Sequence, residues 1–325
     1  MECTRPLTGY HARGGGFTSN QKQAIRVGNV LAKLVVPCGK CYACRERKAS
    51  DWAIRMYHEA QMHHASTFIT LTYDNEHLPE NGTLKIEHFQ KFMKRFRKSI
   101  QPARIRFYHC GEYGKVLNTL GDSRRREYLP HPLQGDREAH GRPHYHAIIF
   151  GWDFPDKKQW SIRNGYPTYR SKHLEKLWPF GISELGTVTY DSAKYVAGYI
   201  QKKINGDQSE DYYKRVDYNT GQIHVLQKEY ATMSRRPGIG MPWLEKHHQE
   251  IWGYDECIID GKNKPVPRAY TTRLKIDDPE TYKKILHQRQ KAAKLRKDER
   301  SPERLAIKDK IGIIRLNQKK RELPQ

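Results

Sequence analysis

The sequence predicts an α+β fold, and three observations carry that prediction. Four β-rich runs lie at 68–73, 104–113, 144–152 and 182–190, and stretches of helical character lie at 45–64, 84–100 and 191–204. The third observation is compositional: 20 Tyr and 6 Trp supply a core to a chain that is otherwise polar, with 37% hydrophobic and 29% charged residues.

The elements follow in order. Residues 1–40 form a Gly- and Arg-rich arm that ends at PCGKCYACR and has no clear period until 30–36. From 45 to 64, Trp52, Ile54, Met56, Tyr57, Ala60 and Met62 fit a helix loosely, and no Pro or Gly interrupts them. FITLTY at 68–73 alternates apolar and Thr residues and stops at the turn cluster DNEHLPENG. Leu84, Ile86, Phe89, Phe92, Met93, Phe96 and Ile100 recur at helical spacing, with Lys and Arg on the opposite face. RIRFYHCGEY and HYHAIIFGW read as the second and third strands, and the polar loop of about 30 residues between them is unusually long. A fourth strand at 182–190 leads into a helix at 191–204 capped by Asp191 or Ser192. A hairpin at 215–230 turns on Asn219, Thr220 and Gly221, and the loop SRRPGIG precedes a short helix near 242–252. From Lys283 onward Lys and Arg dominate, which reads as a basic helical arm or a segment that orders on binding. The resulting plan is a Cys-rich arm at 1–50, a main domain at 51–205, a hairpin, basic loop and short helix at 206–260, and a basic tail at 261–325.

Charge restricts the function classes. Lys and Arg number 59 against 36 Asp and Glu, a formal balance of +23, and the pI is near 9.7. Spread along the whole chain, that excess points to a polyanionic partner, nucleic acid first, because cationic side chains release counterions condensed on phosphates. The longest apolar stretch, 31–36, is broken by Lys33 and falls far short of a membrane span of roughly 18 residues. No secretory signal is expected at the N-terminus, and the six cysteines are expected free or metal-bound in a reducing cytoplasm.

Three constellations carry chemistry. His144 and His146 sit two apart on a strand, so both point to one face and can hold one metal ion. With 16 His, His-x-His arises about 0.8 times by chance, and two hydrogen-bonded core histidines are the alternative. Tyr145, Ala147 and Ile149 occupy the opposite face, which marks a strand covered on both sides. If 104–113 neighbours it, Glu112 completes a two-histidine, one-carboxylate site, with Asp136 and Glu138 as alternatives. Tyr195 and Tyr199 share a helix face beside a stripe of Val196, Ile200 and Ile204, with Lys202 and Lys203 one turn on to lower a phenol pKa. Tyrosines at that spacing are also common as packing residues. Cys38, Cys41 and Cys44 form C-x2-C-x2-C, and Cys3 is the fourth ligand of a structural zinc, with an iron–sulfur cluster as the rival. Cys110 and Cys257 read as buried thiols.

Taken together, PCGKCYAC, FITLTY, CGEYG, RPHYHAIIFG and YVAGYIQKK, in that order, resemble the replication initiators of the microviruses, small single-stranded DNA phages, especially the gokushovirus type. That family belongs to the HUH endonucleases, and the resemblance covers most of residues 1–245. It implies an antiparallel sheet of about five strands with the two-histidine strand central and helices packed on one face. It further implies that His144, His146 and Glu112 hold Mg²⁺ or Mn²⁺ against the scissile phosphate of the viral-strand origin while Tyr195 or Tyr199 attacks. A 5′-phosphotyrosyl bond and a priming 3′-OH result, and the second tyrosine acts after one round. Expected partners are the single-stranded DNA origin and the host replicative helicase and polymerase, in the host cell cytoplasm. Arg104, Arg106, Lys202, Arg235 and Arg236 are candidate phosphate contacts, and Tyr108 and Tyr113 candidate stacking surfaces for bases. A non-catalytic, zinc-containing DNA-binding or packaging protein explains the charge equally well, but not the order of the motifs.

Overall fold

The computed structural model describes residues 3–115, 140–163, 165–199, 208–216 and 220–322. The chain divides into two units, residues 1–50 with 271–325 and residues 51–270. In the first unit short strands fold the Gly-rich arm: β1 (Leu7–His11), β2 (Phe17–Thr18), β3 (Arg26–Val27), β4 (Val30–Leu31) and β5 (Lys33–Val36). β1 pairs antiparallel with β2 and β5, and β3 with β4. These strands bury little, so their ladders leave no alternation in the sequence to read. Helix α1 (Tyr42–Gln61) follows the last cysteines of the arm.

The second unit is built on a seven-stranded sheet. β6 (Ser66–Tyr73) buries every second residue, so one face of it belongs to a core. α2 (Ile86–Ser99) places Phe89, Phe92, Met93 and Phe96 against that face and leaves its lysines and arginines toward solvent. β7 (Arg106–Lys115) and β8 (His140–Phe150) come next, followed by the hairpin β9 (Lys158–Arg163) and β10 (Tyr166–Arg170). α3 (Lys172–Leu177), capped by Ser171, adds Leu174 and Leu177 to the core, and β11 (Gly181–Thr187) returns along β6. After α4 (Tyr190–Tyr199) come α5 (Gln208–Tyr212), the hairpin β12 (Lys214–Val216) and β13 (Ile223–Val225), and β14 (Tyr230–Met233). The sheet order is β14-β7-β8-β6-β11-β10-β9, with every described pairing antiparallel. The two-histidine strand β8 is interior, as expected. Two strands beyond the expected five come from the β9–β10 hairpin and from β14, which leaves its own hairpin to pair with β7. The expectation that helices cover one face is corrected. α2 and α3 line one side, whereas Trp52 of α1 packs on Tyr108 at 5.1 Å and the Cys110 thiol meets the Val196 carbonyl of α4 at 3.7 Å on the other.

α6 (Met241–Trp252) follows the SRRPGIG loop, and β15 (Glu256–Ile259) pairs with β16 (Lys262–Pro265). The basic tail is helical: α7 (Arg268–Asp277), α8 (Pro279–Leu295) with Asp278 accepting the Thr281 N–H at 3.0 Å, and α9 (Pro302–Glu322). Within the first unit Thr4 donates to Asp309 at 2.6 Å and Arg5 grips the same carboxylate, so the arm and the tail pack together. Gly312 fits that contact because a Cβ there would lie 2.5 Å from the Tyr42 ring. Residues 116–139, most of the long loop, lie outside the described residues, as do 217–219 of the turn read at 219–221.

Candidate active site

Residues directly opposite each other in an antiparallel pair share a face. Glu112 of β7 lies opposite His144 of β8, and Cys110 opposite His146. Tyr145, Ala147 and Ile149 enter the core, so alternation turns both histidines to the other side with Glu112. The ligand atoms of Glu112, His144 and His146 lie within 4.8 Å of one another. Glu112 Oε1 is 2.7 Å from His144 Nε2 and 3.3 Å from His146 Nε2. His144 Nδ1 is 3.0 Å from the Arg142 carbonyl oxygen, so both its ring nitrogens face acceptors. A neutral imidazole brings one proton to two acceptors; the second contact needs another proton or a metal cation. His146 Nδ1 meets the Thr70 hydroxyl at 3.1 Å, which turns its Nε2 toward the same point. Burial alone would raise the Glu112 pKa, but the His144 charge and the hydrogen bonds of both imidazoles hold the carboxyl well below its usual range. A buried carboxylate kept ionised beside two outward-turned Nε2 atoms is a donor set that could hold a divalent ion.

The tyrosines reach the same place from α4. Thr189 and Ser192 cap this helix reciprocally, Ser192 N–H to Thr189 Oγ1 at 3.1 Å and Thr189 N–H to Ser192 Oγ at 2.8 Å. The cap is therefore Thr189 rather than Asp191 or Ser192, because Ser192 sits at the third helical position, where it can return the bond. Ala193, Val196 and Ala197 are buried, which sets Tyr195 and Tyr199 toward the histidines. The Tyr199 ring stacks on His146 with centroids 4.7 Å apart, Tyr195 lies 5.5 Å from His146, and the two phenols are 4.5 Å apart. Burial first, and the Glu112 charge with it, pushes Tyr195 up to about 12 and Tyr199 well above its ordinary value, so both keep their protons at neutral pH.

Other expected residues fall elsewhere. Lys202, Lys203, Asp136 and Glu138 lie outside the described residues. Tyr108 and Tyr113 are buried in the fold, which corrects their reading as base-stacking surfaces. Arg104, Arg235 and Arg236 are exposed, but they lie at the far end of β7. Arg106 is committed to the Glu59 carboxylate and to the carbonyls of Arg236 and Pro237. Thr70, Arg142 and Glu59 escape sequence reasoning, since a backbone carbonyl contact and a helix carboxylate facing inward leave no motif.

In the first unit the thiols of Cys3, Cys38, Cys41 and Cys44 also lie within 4.8 Å of one another. Cys3 Sγ is 3.7 Å from Cys38 Sγ and 3.8 Å from Cys41 Sγ, and none of the four is in a disulfide. The N–H groups of Lys40 and Cys41 point at Cys38 Sγ from 3.4 and 3.2 Å, in a turn that Gly39 permits with φ of 73°. Bonds of about 2.3 Å to a tetrahedral ion place sulfurs about 3.8 Å apart, which these separations match.

Comparison with known proteins bears on the first of these sites. The replication-associated protein family typified by ORF2 matches residues 66–120 and 123–204, which include both histidines, Glu112 and both tyrosines. The chain is 34% identical over 288 residues to "Replication-associated protein VP4" of Bdellovibrio phage phiMH2K, covering 87% of this chain and 80% of that protein. It is 36% identical over 174 residues to "Replication-associated protein ORF4" of Chlamydia phage 1 (52% and 38% covered). It is 28% identical over 291 residues to "Replication-associated protein ORF2" of Spiroplasma virus 4 (84% and 80% covered). No solved structure matches. Among the described residues no helix is long and apolar enough to cross a membrane. The chain belongs to the replication-associated proteins of the microviruses, and its work is replication of the viral genome in the host cell.

Proposed function

We propose that this protein initiates rolling-circle replication by nicking the viral-strand origin through tyrosine transesterification. The observation that carries this reading is the packing of both phenols, Tyr195 and Tyr199, against His146 of the Glu112–His144–His146 cluster. Mg²⁺ or Mn²⁺ held by that cluster would polarise the scissile phosphate and offset the charge that otherwise keeps the phenols protonated. Tyr195 or Tyr199 Oη forms a bond to the phosphorus, the P–O3′ bond breaks, and the phenolic proton is balanced by the one gained on the departing 3′ oxygen. The products are a 5′-phosphotyrosine and a free 3′-OH. The number of phosphodiester linkages is unchanged, so the strand can be rejoined without an external energy source. Thr70 and the Arg142 carbonyl orient the imidazoles, and the stacked His146 ring holds Tyr199 in line. The 3′-OH would be extended by the host polymerase behind a host helicase in the cytoplasm. The four-thiol cluster would hold a single structural Zn²⁺. Its short S–S separations favour one ion over an iron–sulfur cluster, whose irons set the ligand sulfurs farther apart.

The test incubates the protein with a single-stranded origin oligonucleotide and Mn²⁺ and resolves the products under denaturing conditions. A covalent adduct is expected, absent from the Tyr195→Phe, Tyr199→Phe double variant. His146→Ala should abolish the adduct while DNA affinity stays nearly intact. Retained DNA binding with no adduct in the unaltered protein would instead support the packaging reading.

A further inference from the structure

β7 ends in a cluster of arginines at Arg106, about 20 Å along the strand from Glu112 at roughly 3.3 Å per residue. Arg97, Arg104, Arg235 and Arg236 are all exposed there and gather around Phe107. Arg97 lies over the Phe107 ring at 5.5 Å, and Arg104 immediately precedes the strand. The Ser234 N–H donates to the Phe107 carbonyl at 2.9 Å, and Ser234 Oγ accepts from the Phe107 N–H at 3.1 Å, which brings Arg235 and Arg236 beside them. A cleft of about 500 Å³ lined by Arg97, Arg104 and the segment between Gln101 and Ile105 opens at the same end.

Beneath the cluster the SRRPGIG loop is tied down from inside. Arg106 donates to Glu59 Oε1 at 2.5 Å, to the Pro237 carbonyl at 2.6 Å and to the Arg236 carbonyl at 3.4 Å. Glu59 is fully buried, its other oxygen accepts the Gly240 N–H at 2.6 Å, and His63 Nε2 lies 3.3 Å from Oε1. Burying an ion pair brings little net stability, because desolvation offsets the attraction. Here the pair fixes the backbone at 236, 237 and 240 and leaves the side chains of 235 and 236 in solvent.

We infer that this end of the sheet binds the phosphate backbone of the DNA strand flanking the cleavage position, with Arg235 and Arg236 as contacts and Glu59 and Arg106 as positioning residues. The inference rests on DNA being the substrate but not on the nicking chemistry. Its distance from the histidine pair suits a single strand, since such binding surfaces cover about 4–16 nucleotides. Backbone contacts carry no base information, so the surface acts alike on all sequences.

The experiment uses the full chain carrying Tyr195→Phe and Tyr199→Phe, and titrates single-stranded oligonucleotides of two unrelated sequences and two lengths against salt. Adding Arg235→Ala and Arg236→Ala should weaken binding to both long sequences alike. The slope of log K against log salt should become shallower by about 1.4, at about 0.7 for each lost phosphate contact. The shortest oligonucleotides, which do not reach the loop, should be unaffected. Glu59→Gln should also weaken binding, with little further loss when combined with the arginine changes, because both act through one loop. An unaltered slope in the arginine variant overturns the surface, and fully additive losses overturn the positioning role of Glu59. Failure of the parent protein to bind any DNA would instead sink the proposed function.

Discussion

At Glu112 two opposed effects meet: burial, which favours the neutral acid, and the His144 and His146 imidazoles, which favour the carboxylate and win. A carboxyl whose folded pKa is depressed adds stability that is complete above its unfolded value, near 4.3, and is lost as pH falls toward the folded one. In metal-free buffer, urea unfolding should therefore show Glu112→Gln destabilised at pH 6, with the gap to the parent closing as pH falls below about 4. A gap independent of pH would mean that the charge is not what stabilises. The two phenols differ too. Tyr195 is half-buried and pushed up only to about 12, whereas Tyr199 is buried and held higher. Tyr195→Phe should accordingly lower the first-round adduct yield more than Tyr199→Phe, measured in single-turnover cleavage with Mn²⁺.

Among elements, α4 matters most to the site, since ten residues carry both tyrosines and the reciprocal cap fixes where the helix starts. Thr189→Ala removes that cap and should cost about 1 kcal/mol in chemical denaturation. It should also slow adduct formation, because the helix start that aims the phenols is loosened. α2 has a different task. Its Phe92 is fully buried between sheet and helix, and Phe92→Ala should cost roughly 3–5 kcal/mol, against near zero for the exposed Lys94→Ala on its basic face. α2 was legible because aromatic residues recur at helical spacing. The cap of α4 was not, because Thr189, Asp191 and Ser192 are all good cap residues and only the backbone geometry selects one.

For the molecule as a whole, the thiol cluster and the Thr4–Arg5–Asp309 contacts make the arm and the tail one unit. Chelation should release one metal ion per chain, lower helical content, and expose α8 and α9 to limited proteolysis while residues 51–270 stay resistant. The same cleavage pattern with and without chelator would rule out a structural metal. The sequence by itself determined the strands at 68–73 and 144–152, the helix at 86–99, the histidine pair and the cysteine spacing, because period and spacing are local properties. Only the tertiary structure decided that Glu112 is directly opposite His144, that Tyr195 and Tyr199 stand on the histidines' side, and that Arg106 turns inward to Glu59. Strand register and the choice of helix face depend on contacts between residues tens of positions apart. A single sequence carries no local trace of them, and burial of both sheet faces settles them.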